Sequence, residues 1–321
     1  MSKVTTSEVI AHELKRALPG AVERDAPLAA LTTYHLGGPV AVLVRAGSLD
    51  ALAAVAQVVR EHAPPLLLVG RGSNLLVADR GFDGLAVVLV GTFEDVDLHA
   101  GGGDAAPDIV SAGGAVPLPV LARRTAAAGR GGLEFFVGIP GSVGGAVRMN
   151  AGGHGRDTAD VLVRARVVDL ARAGEGAGQE VVRTAPELDL GYRRSALGPV
   201  EVVTGADFHV EAASATDCEA TIAEIVRWRR EHQPGGANAG SVFRNPPGDS
   251  AGRIIDEAGL KGLRVGGAVV SPKHANFFQA EPGASADDVH RLVQEVRRRV
   301  HASTGVMLET ELRMVGFEDA L

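Results

Sequence analysis

With 321 residues the chain is long enough for two or three domains that each bury a core, so it needs no disulfide scaffold. Its one cysteine, Cys218, excludes a disulfide or a thiolate metal cluster within the chain and fits a reducing compartment. A formal charge of -7 and 4% aromatic residues argue against a nucleic-acid surface, which needs clustered Lys and Arg and stacking rings.

In chain order, Ser7 opens an amphipathic helix that ends at Pro19-Gly20, and Ser48 caps a second running to about His62. Glu8, His12, Glu13, Lys15 and Arg16 lie within the apolar pattern of the first, which is therefore no secretory h-region. Short β-branched or leucine-rich runs at Val40 to Arg45, Leu66 to Val69, Leu75 to Val77 and Leu85 to Val90 complete a compact α/β unit. The next region is strand-dominated, with strands expected at Asp108 to Ala112, Val161 to Leu170, Glu180 to Thr184 and Glu201 to Val210 and one helix near Pro119 to Ala128. Its glycine-rich stretches, Gly101 to Gly103 and Gly174 to Gly178, read as surface loops.

Ser214 with Asp217 is a capping-box signature for a long helix to about His232, where Gln233-Pro234-Gly235-Gly236 stops it and a domain boundary is expected. A smaller α+β region follows: a helix around Ser250 to Ala258, strands through Val265 to Ser271 and Asn276 to Gln279, and a helix from Ser285. That last helix places Val289, Leu292, Val293, Val296 and Val300 on one face. A final strand, Met307 to Val315, puts Glu309 and Glu311 in phase. The basic runs Arg227 to Arg230 and Arg297 to Arg299 lie in helical patterns and read as solvated faces. No apolar run approaches the ~20 residues needed to cross a bilayer, so a soluble, cytoplasmic protein is expected.

Two glycine segments carry chemistry. Gly70-Arg71-Gly72-Ser73-Asn74 lies between two strands and offers consecutive amides with little bulk in the way, either as an anion-binding nest or as a plain turn. It is no Rossmann fingerprint, because Leu75-Leu76-Val77 continues as a strand instead of opening a helix. The second segment, Val137 to Ala146 with Met149-Asn150-Ala151-Gly152-Gly153 after it, holds so many glycines that close backbone approach to a flat or charged ligand explains it better than looseness. Together they suggest one loop for a pyrophosphate and one for an isoalloxazine ring. The histidines are scattered without ligand spacing, so no metal is expected.

The ordered set Thr33 with Gly37-Gly38, Gly-Arg-Gly-Ser-Asn at 70–74, Gly-Ile-Pro-Gly-Ser-Val-Gly-Gly-Ala at 138–146 and Asn150-Ala-Gly resembles the FAD-binding region of UDP-N-acetylenolpyruvoylglucosamine reductases. Gly191-Tyr192-Arg193-Arg194-Ser195, Gly240 to Pro246, Ala258 to Gly262, Ser271 to Phe277 and Leu308 to Glu311 extend the resemblance over roughly Leu31 to Gly316. The resemblance implies an α+β fold: a vanillyl-alcohol-oxidase-like, two-lobed FAD-binding domain plus a small α+β substrate-binding domain. The lobes are expected at 1–89 with 310–321 and at 90–215, and the substrate domain at 216–309.

The implied reaction is NADPH reduction of a noncovalently held FAD, followed by hydride transfer to the enolpyruvyl double bond of UDP-N-acetylglucosamine enolpyruvate, giving UDP-N-acetylmuramate for peptidoglycan. By the same resemblance Arg193 and Glu311 steady the developing charge and Ser241 donates the proton. Thr33, Gly70, Arg71, Gly72, Ser73, Asn74, Leu75, Gly138, Ile139, Pro140, Gly141, Ser142, Gly145, Ala146 and Asn150 hold the cofactor. Tyr192, Arg244, Asn245, Lys261, Lys273 and His274 face the substrate. The chain departs from the family where Thr32 replaces a common Asn and Gly153-His154 a common Ala-Tyr, and the short stretch from Arg193 to Ser241 matches the branch without an extra substrate-closing tyrosine loop. A flavin oxidase on a small alcohol or sugar would reuse the glycine loops without needing Arg193, Ser241 and Glu311 together. A nucleotide-sugar sensor would have lost one of the three. A monomer is expected.

Overall fold

Serines open five of the helices. In each the Oγ accepts an amide three positions on: Ser48 from Ala51 (3.2 Å), Ser142 from Gly145 (3.4 Å), Ser214 from Asp217 (3.4 Å), Ser250 from Arg253 (3.2 Å) and Ser285 from Asp288 (3.0 Å). The computed structural model describes residues 6–98, 108–174 and 178–317. Its helices are α1 (Thr6–Ala17), α2 (Leu49–His62), α3 (Leu118–Ala127), α4 (Val143–Met149), α5 (Ala215–His232), α6 (Ala251–Glu257) and α7 (Ala286–Thr304). The chain divides into two units. One takes residues up to Arg24, Ala41–Arg71 and Gly84–Arg227, the other Asp25–Val40, Gly72–Asp83 and the chain from Trp228 on.

The first unit has two cores. Strands β1 (Val22–Pro27), β2 (Pro39–Ala46), β5 (Phe82–Leu89) and β3 (Leu66–Val69) form one sheet in that order, β3 running parallel to β5 with Leu66 opposite Leu85. Ile10 and Leu14 of α1 and Leu52, Val55 and Val59 of α2 share its core with Val42, Val44, Leu85 and Val87. The second core lies on an antiparallel sheet ordered β12 (Glu180–Thr184), β11 (Leu162–Asp169), β13 (Glu201–His209), β7 (Ile109–Gly113), β6 (Val96–Asp97). Every residue of central β13 except His209 is buried, as expected for a strand covered on both faces. Phe135, Phe136 and Phe208 supply this core with rings, and Leu121 and Leu133 join them. Two short ladders, β8 (Arg130–Gly131) with β14 (Glu211–Ala212) and β9 (Gly152–Gly153) with β10 (Arg156–Asp157), complete the unit.

The second unit packs α6 and α7 on the antiparallel strands β15 (Arg264–Val265), β16 (Ala268–Val270) and β17 (Phe278–Ala280). The expected stripe of α7 is fully buried, together with Tyr34, Leu76, Phe243 and Phe278, and each such aliphatic side chain contributes about 1.5–3 kcal/mol. A parallel pair joins distant parts of the chain: β4 (Leu75–Val77) lies beside β18 (Arg313–Val315), Leu75 opposite Arg313.

Most expected elements are present with ends shifted by one to three residues. Strand β1 and the short ladders were not expected, and Gly101 to Gly103 lie outside the described residues, as does 175–177 of the second glycine stretch. The last strand is shorter than its pattern. Leu308 and Leu312 are buried while Met307, Glu309 and Arg313 are exposed, so the alternation holds, but the ladder covers only Arg313–Val315 because 307–312 meets its neighbours through a single bridge, Phe243 to Thr310. The larger correction is α4: the glycine-rich Val143–Met149 is a helix and no loop. Among the described residues no helix is long and apolar enough to cross a membrane.

Candidate active site

In the first unit the second glycine segment makes a tight turn through Pro140, where Gly141 N donates to Ile139 O (2.9 Å), and then enters α4. The first amides of α4 are spent on the chain beneath: Val143 N on Val116 O (3.0 Å) and Gly144 N on Gly114 O (2.9 Å). A Cβ at Gly144 would stand 3.1 Å from Gly114 O and 3.2 Å from Val203 O, so this glycine lets the helix start sit on β13. Gly70, at the end of β3, comes to the same place. A Cβ there would lie 2.7 Å from the buried Ser142 Oγ, so the two glycine segments touch edge to edge.

In the second unit the rest of the 70–74 turn is fastened from below. Gly72 is left-handed (φ +59°), a Cβ on it would fall 1.9 Å from Leu31 O, and its carbonyl accepts Thr33 N at 3.3 Å. Thr33 Oγ1 also points at that carbonyl (3.5 Å), so Thr33 shapes the turn. Among the described residues the amides of Arg71, Gly72 and Ser73 donate to no acceptor, which leaves three successive N–H groups for an anion. Three successive unspent amides in one turn suit the pyrophosphate of FAD. The turn contains neither Cys nor His to attach it covalently.

The second unit also gathers Ser241, Glu311 and Asn74. Val242 O accepts Glu311 N (2.8 Å) and Leu312 N (3.2 Å), and Arg244 N donates to Glu309 O (2.9 Å), so the 241–244 and 309–312 segments lie side by side. Buried Asn276 clamps the first of them: its Oδ1 accepts Phe243 N (2.9 Å), its Nδ2 donates to Phe243 O (2.8 Å) and its carbonyl accepts Val242 N (2.9 Å). Asn74 grips the second, donating Nδ2 to Glu311 O (3.0 Å) and accepting Arg313 N (3.2 Å). Ser241 and Glu311 are both half-buried. Exposed Glu309 instead lies 3.9 Å from the Arg244 guanidinium, whose Nε is buried with no hydrogen-bond partner among the described residues.

The other expected substrate residues divide. Asn245 accepts Ala251 N at the start of α6 (3.1 Å), and Lys261 pairs with Asp256 (2.6 Å). His274 packs on Phe277. Burial, with the Lys261 charge, holds its imidazole below the ordinary value. It is therefore neutral at pH 7, and since Nδ1 accepts Asn276 N (3.2 Å) the proton sits on Nε2, which makes it a hydrogen-bond donor and not a cation. Lys273 is turned to the Arg230 carbonyl.

Tyr192 and Arg193 belong to the first unit, in a turn closed by Gly191 N to Arg194 O and Arg194 N to Gly191 O, both 3.1 Å. Arg193 is left-handed (φ +56°), a conformation that costs a bulky residue about 1–3 kcal/mol and persists where the surroundings enforce it. Its guanidinium carbon lies 5.3 Å from the Tyr192 ring centre. Sequence reasoning missed the clamp made by Asn276, whose partner Phe243 is distant in sequence, and the cluster of Glu13, Glu61 and His62. In that cluster α1 and α2 bring carboxylate and imidazole atoms within 4.8 Å of one another, His62 Nε2 lying 2.8 Å from Glu13 Oε2.

Comparison with known proteins agrees with this geometry. A family model described as FAD binding domain matches residues 40–175, and one described as UDP-N-acetylenolpyruvoylglucosamine reductase, C-terminal domain, matches 232–315. A VAO-type flavoprotein from Myceliophthora thermophila, 12% identical, shares the fold with a TM-score of 0.50 over 96% of this chain and 64% of its own. The fold is that of vanillyl-alcohol-oxidase-type flavoproteins, and the matched domain marks an FAD-binding protein. UDP-N-acetylenolpyruvoylglucosamine reductase from Rubrobacter xylanophilus is 42% identical, covering 94% of this chain and 98% of the relative, and that from Paramagnetospirillum magneticum is 41% identical over 92% of each. The crystal structure of the Thermus caldophilus reductase, 37% identical, superposes with a TM-score of 0.78 over 92% of this chain and 98% of that one. The chain belongs to the UDP-N-acetylenolpyruvoylglucosamine reductase family.

Proposed function

We propose that the chain uses NADPH to reduce the enolpyruvyl group of UDP-N-acetylglucosamine enolpyruvate, giving UDP-N-acetylmuramate for peptidoglycan synthesis. The observation that carries this reading is the backbone pairing of Val242 with Glu311, which brings the segment bearing Ser241 alongside the one bearing Glu311. Residues of the 70–74 turn and Gly138 to Ala146 hold FAD. When bound, FAD supplies the hydride, which it takes from NADPH. As the methylene carbon receives hydride, the π pair moves onto the neighbouring carbon and the substrate carboxylate. Arg193 meets that charge with a fixed cation, and Glu311 holds the enol form. Ser241 Oγ–H then protonates the carbon, a step that needs a positioned acid with little competing water.

Arg244 offers the substrate diphosphate a fork and Asn245 and Lys261 flank it, while His274 adds an N–H. Lys273 and Tyr192 stand as outer contacts. We divide the chain into lobes at 1–89 with 310–321 and 90–215 and a substrate domain at 216–309; the β4–β18 ladder is what supports joining 310–321 to the first lobe. We place the protein in the cytoplasm as a monomer. Its exposed large apolar side chains, Leu49, Val120, Val182, Tyr192, Trp228 and Met307, sit on separate segments, which suits that state.

The test is anaerobic NADPH oxidation with and without UDP-N-acetylglucosamine enolpyruvate. Substrate-dependent oxidation is expected, falling about 10²- to 10⁴-fold in Ser241→Ala and Glu311→Gln while flavin stays bound. Bound flavin whose oxidation ignores this substrate in the unaltered protein points instead to an oxidase.

A further inference from the structure

We propose that Asn150 is a positioning residue for Arg193 and makes no side-chain contact with the cofactor. Asn150 caps the C-terminus of α4 in the left-handed region (φ +40°) and is 4% exposed. Its Nδ2 donates to Gly191 O (3.2 Å) and to Asp157 Oδ2 (3.0 Å), and its Oδ1 accepts Ala159 N (2.9 Å). Both amide protons are spent, so a ligand on the glycine segment can take none from it.

The bond to Gly191 O is the informative one. That carbonyl also accepts Arg194 N, the bond that closes the turn around Arg193, so Asn150 grips the turn at its first residue. The far side is tied to the same helix end, because Ser195 Oγ donates to Arg148 O (2.8 Å) and the Arg148 guanidinium donates to Gly198 O (2.8 Å) and Glu201 O (2.6 Å). The last turn of α4 thus holds the chain on both sides of a residue whose left-handed backbone needs enforcement. Since α4 begins at Ser142, in contact with Gly70, one short helix spans from the cofactor cradle to the arginine turn.

This inference rests on the reading that Arg193 meets the substrate carboxylate, and the experiment separates the two. Asn150→Gly removes the side chain but keeps a residue that tolerates the left-handed cap. In the FAD-loaded enzyme it is expected to lower kcat about a hundredfold with KM for the enolpyruvyl substrate and flavin content little changed, as a small misplacement of a charge-stabilising group does. In the apoprotein, hydrogen exchange across 189–196 is expected to quicken. Ser195→Ala, which loosens the other tie, should lower kcat by less. The decisive measure is the cycle with Arg193→Ala. The double variant should be no slower than Arg193→Ala alone, and losses that multiply overturn the proposal, as does loss of flavin from Asn150→Gly. If Arg193→Ala keeps full kcat, the catalytic reading of Arg193 fails, and exchange across 189–196 then decides alone whether Asn150 holds the turn.

Discussion

At the scale of single residues, Cys218 shows how burial decides reactivity. The thiol is 4% exposed in α5, and burial together with the neighbouring Glu134 carboxylate pushes its pKa up to about 11. At pH 8 it is a neutral thiol. A disulfide reagent is expected to modify the folded protein roughly a hundredfold or more slowly than the unfolded chain, and equal rates in the two states, followed by thiol release, would show that the site is open. Composition shows a lone cysteine but not its neighbour Glu134, which is 84 positions away and invisible to local pattern. The candidate site was legible to a similar degree. Glu311 shares a face with Glu309, and alternation predicted that much. That the Glu311 backbone pairs with Val242, next to Ser241, is a tertiary fact. The spent amide of Asn150 was likewise out of reach, because Asp157, Ala159 and Gly191 meet it only after folding.

At the scale of elements, stripes and caps were readable and glycine-rich helices were not. Ser48, Ser214, Ser250 and Ser285 announced their helices, and the α7 stripe is buried as its spacing predicts. Helix α4 was hidden because Gly144 and Gly145 lower helix propensity by about 1 kcal/mol each, a deficit offset by its seat on β13 and the bond from Gly145 N to Ser142. The start of α7 has a partner that no local rule could supply. Asp79, 207 positions away, accepts Ala286 N and Asp287 N at 3.0 Å each, beside the Ser285–Asp288 capping box. Asp79→Ala should destabilise the second unit by about 1–2 kcal/mol. Urea unfolding of the apoprotein followed by Trp228, the chain's one tryptophan and a member of that unit, reads it directly, and an unmoved midpoint would mean that the capping box suffices.

At the scale of the molecule, each unit contains a buried aspartate that sets its acid limit. In the first, burial pushes the Asp207 carboxyl up, but hydrogen bonds from Arg164, Arg166 and Ser111 and the Arg166 charge together carry it below the ordinary value. In the second, Asp288 is held low by the amides of Gly267 and Ser285 and by Arg291. A carboxylate with a depressed folded pKa contributes its stability above the unfolded value, about 3.9, and loses it as pH falls through the folded one. The thermal midpoint should therefore hold from neutral pH down to about pH 4 and drop below it. Asp207→Asn should lower the plateau and flatten the drop of the first unit, and an unchanged acid slope would assign the loss to other carboxylates.

The parallel pair of β4 and β18 also has a consequence for how the chain is made. Asn74 and Glu311 stand 237 positions apart yet touch, and β4 finds its ladder partner only at Arg313–Val315. On a ribosome β4 emerges early and waits, its edge unpaired, while the chain through Leu312 is synthesised. Contacts of such long range slow folding and leave strand edges exposed to wrong partners in the interval. A nascent chain arrested before Glu309 would carry the first unit's complete sequence but an unfinished second, so Ser241 would have its segment without the one bearing Glu311. The proposed catalytic pair can assemble only after the 309–312 segment has been made.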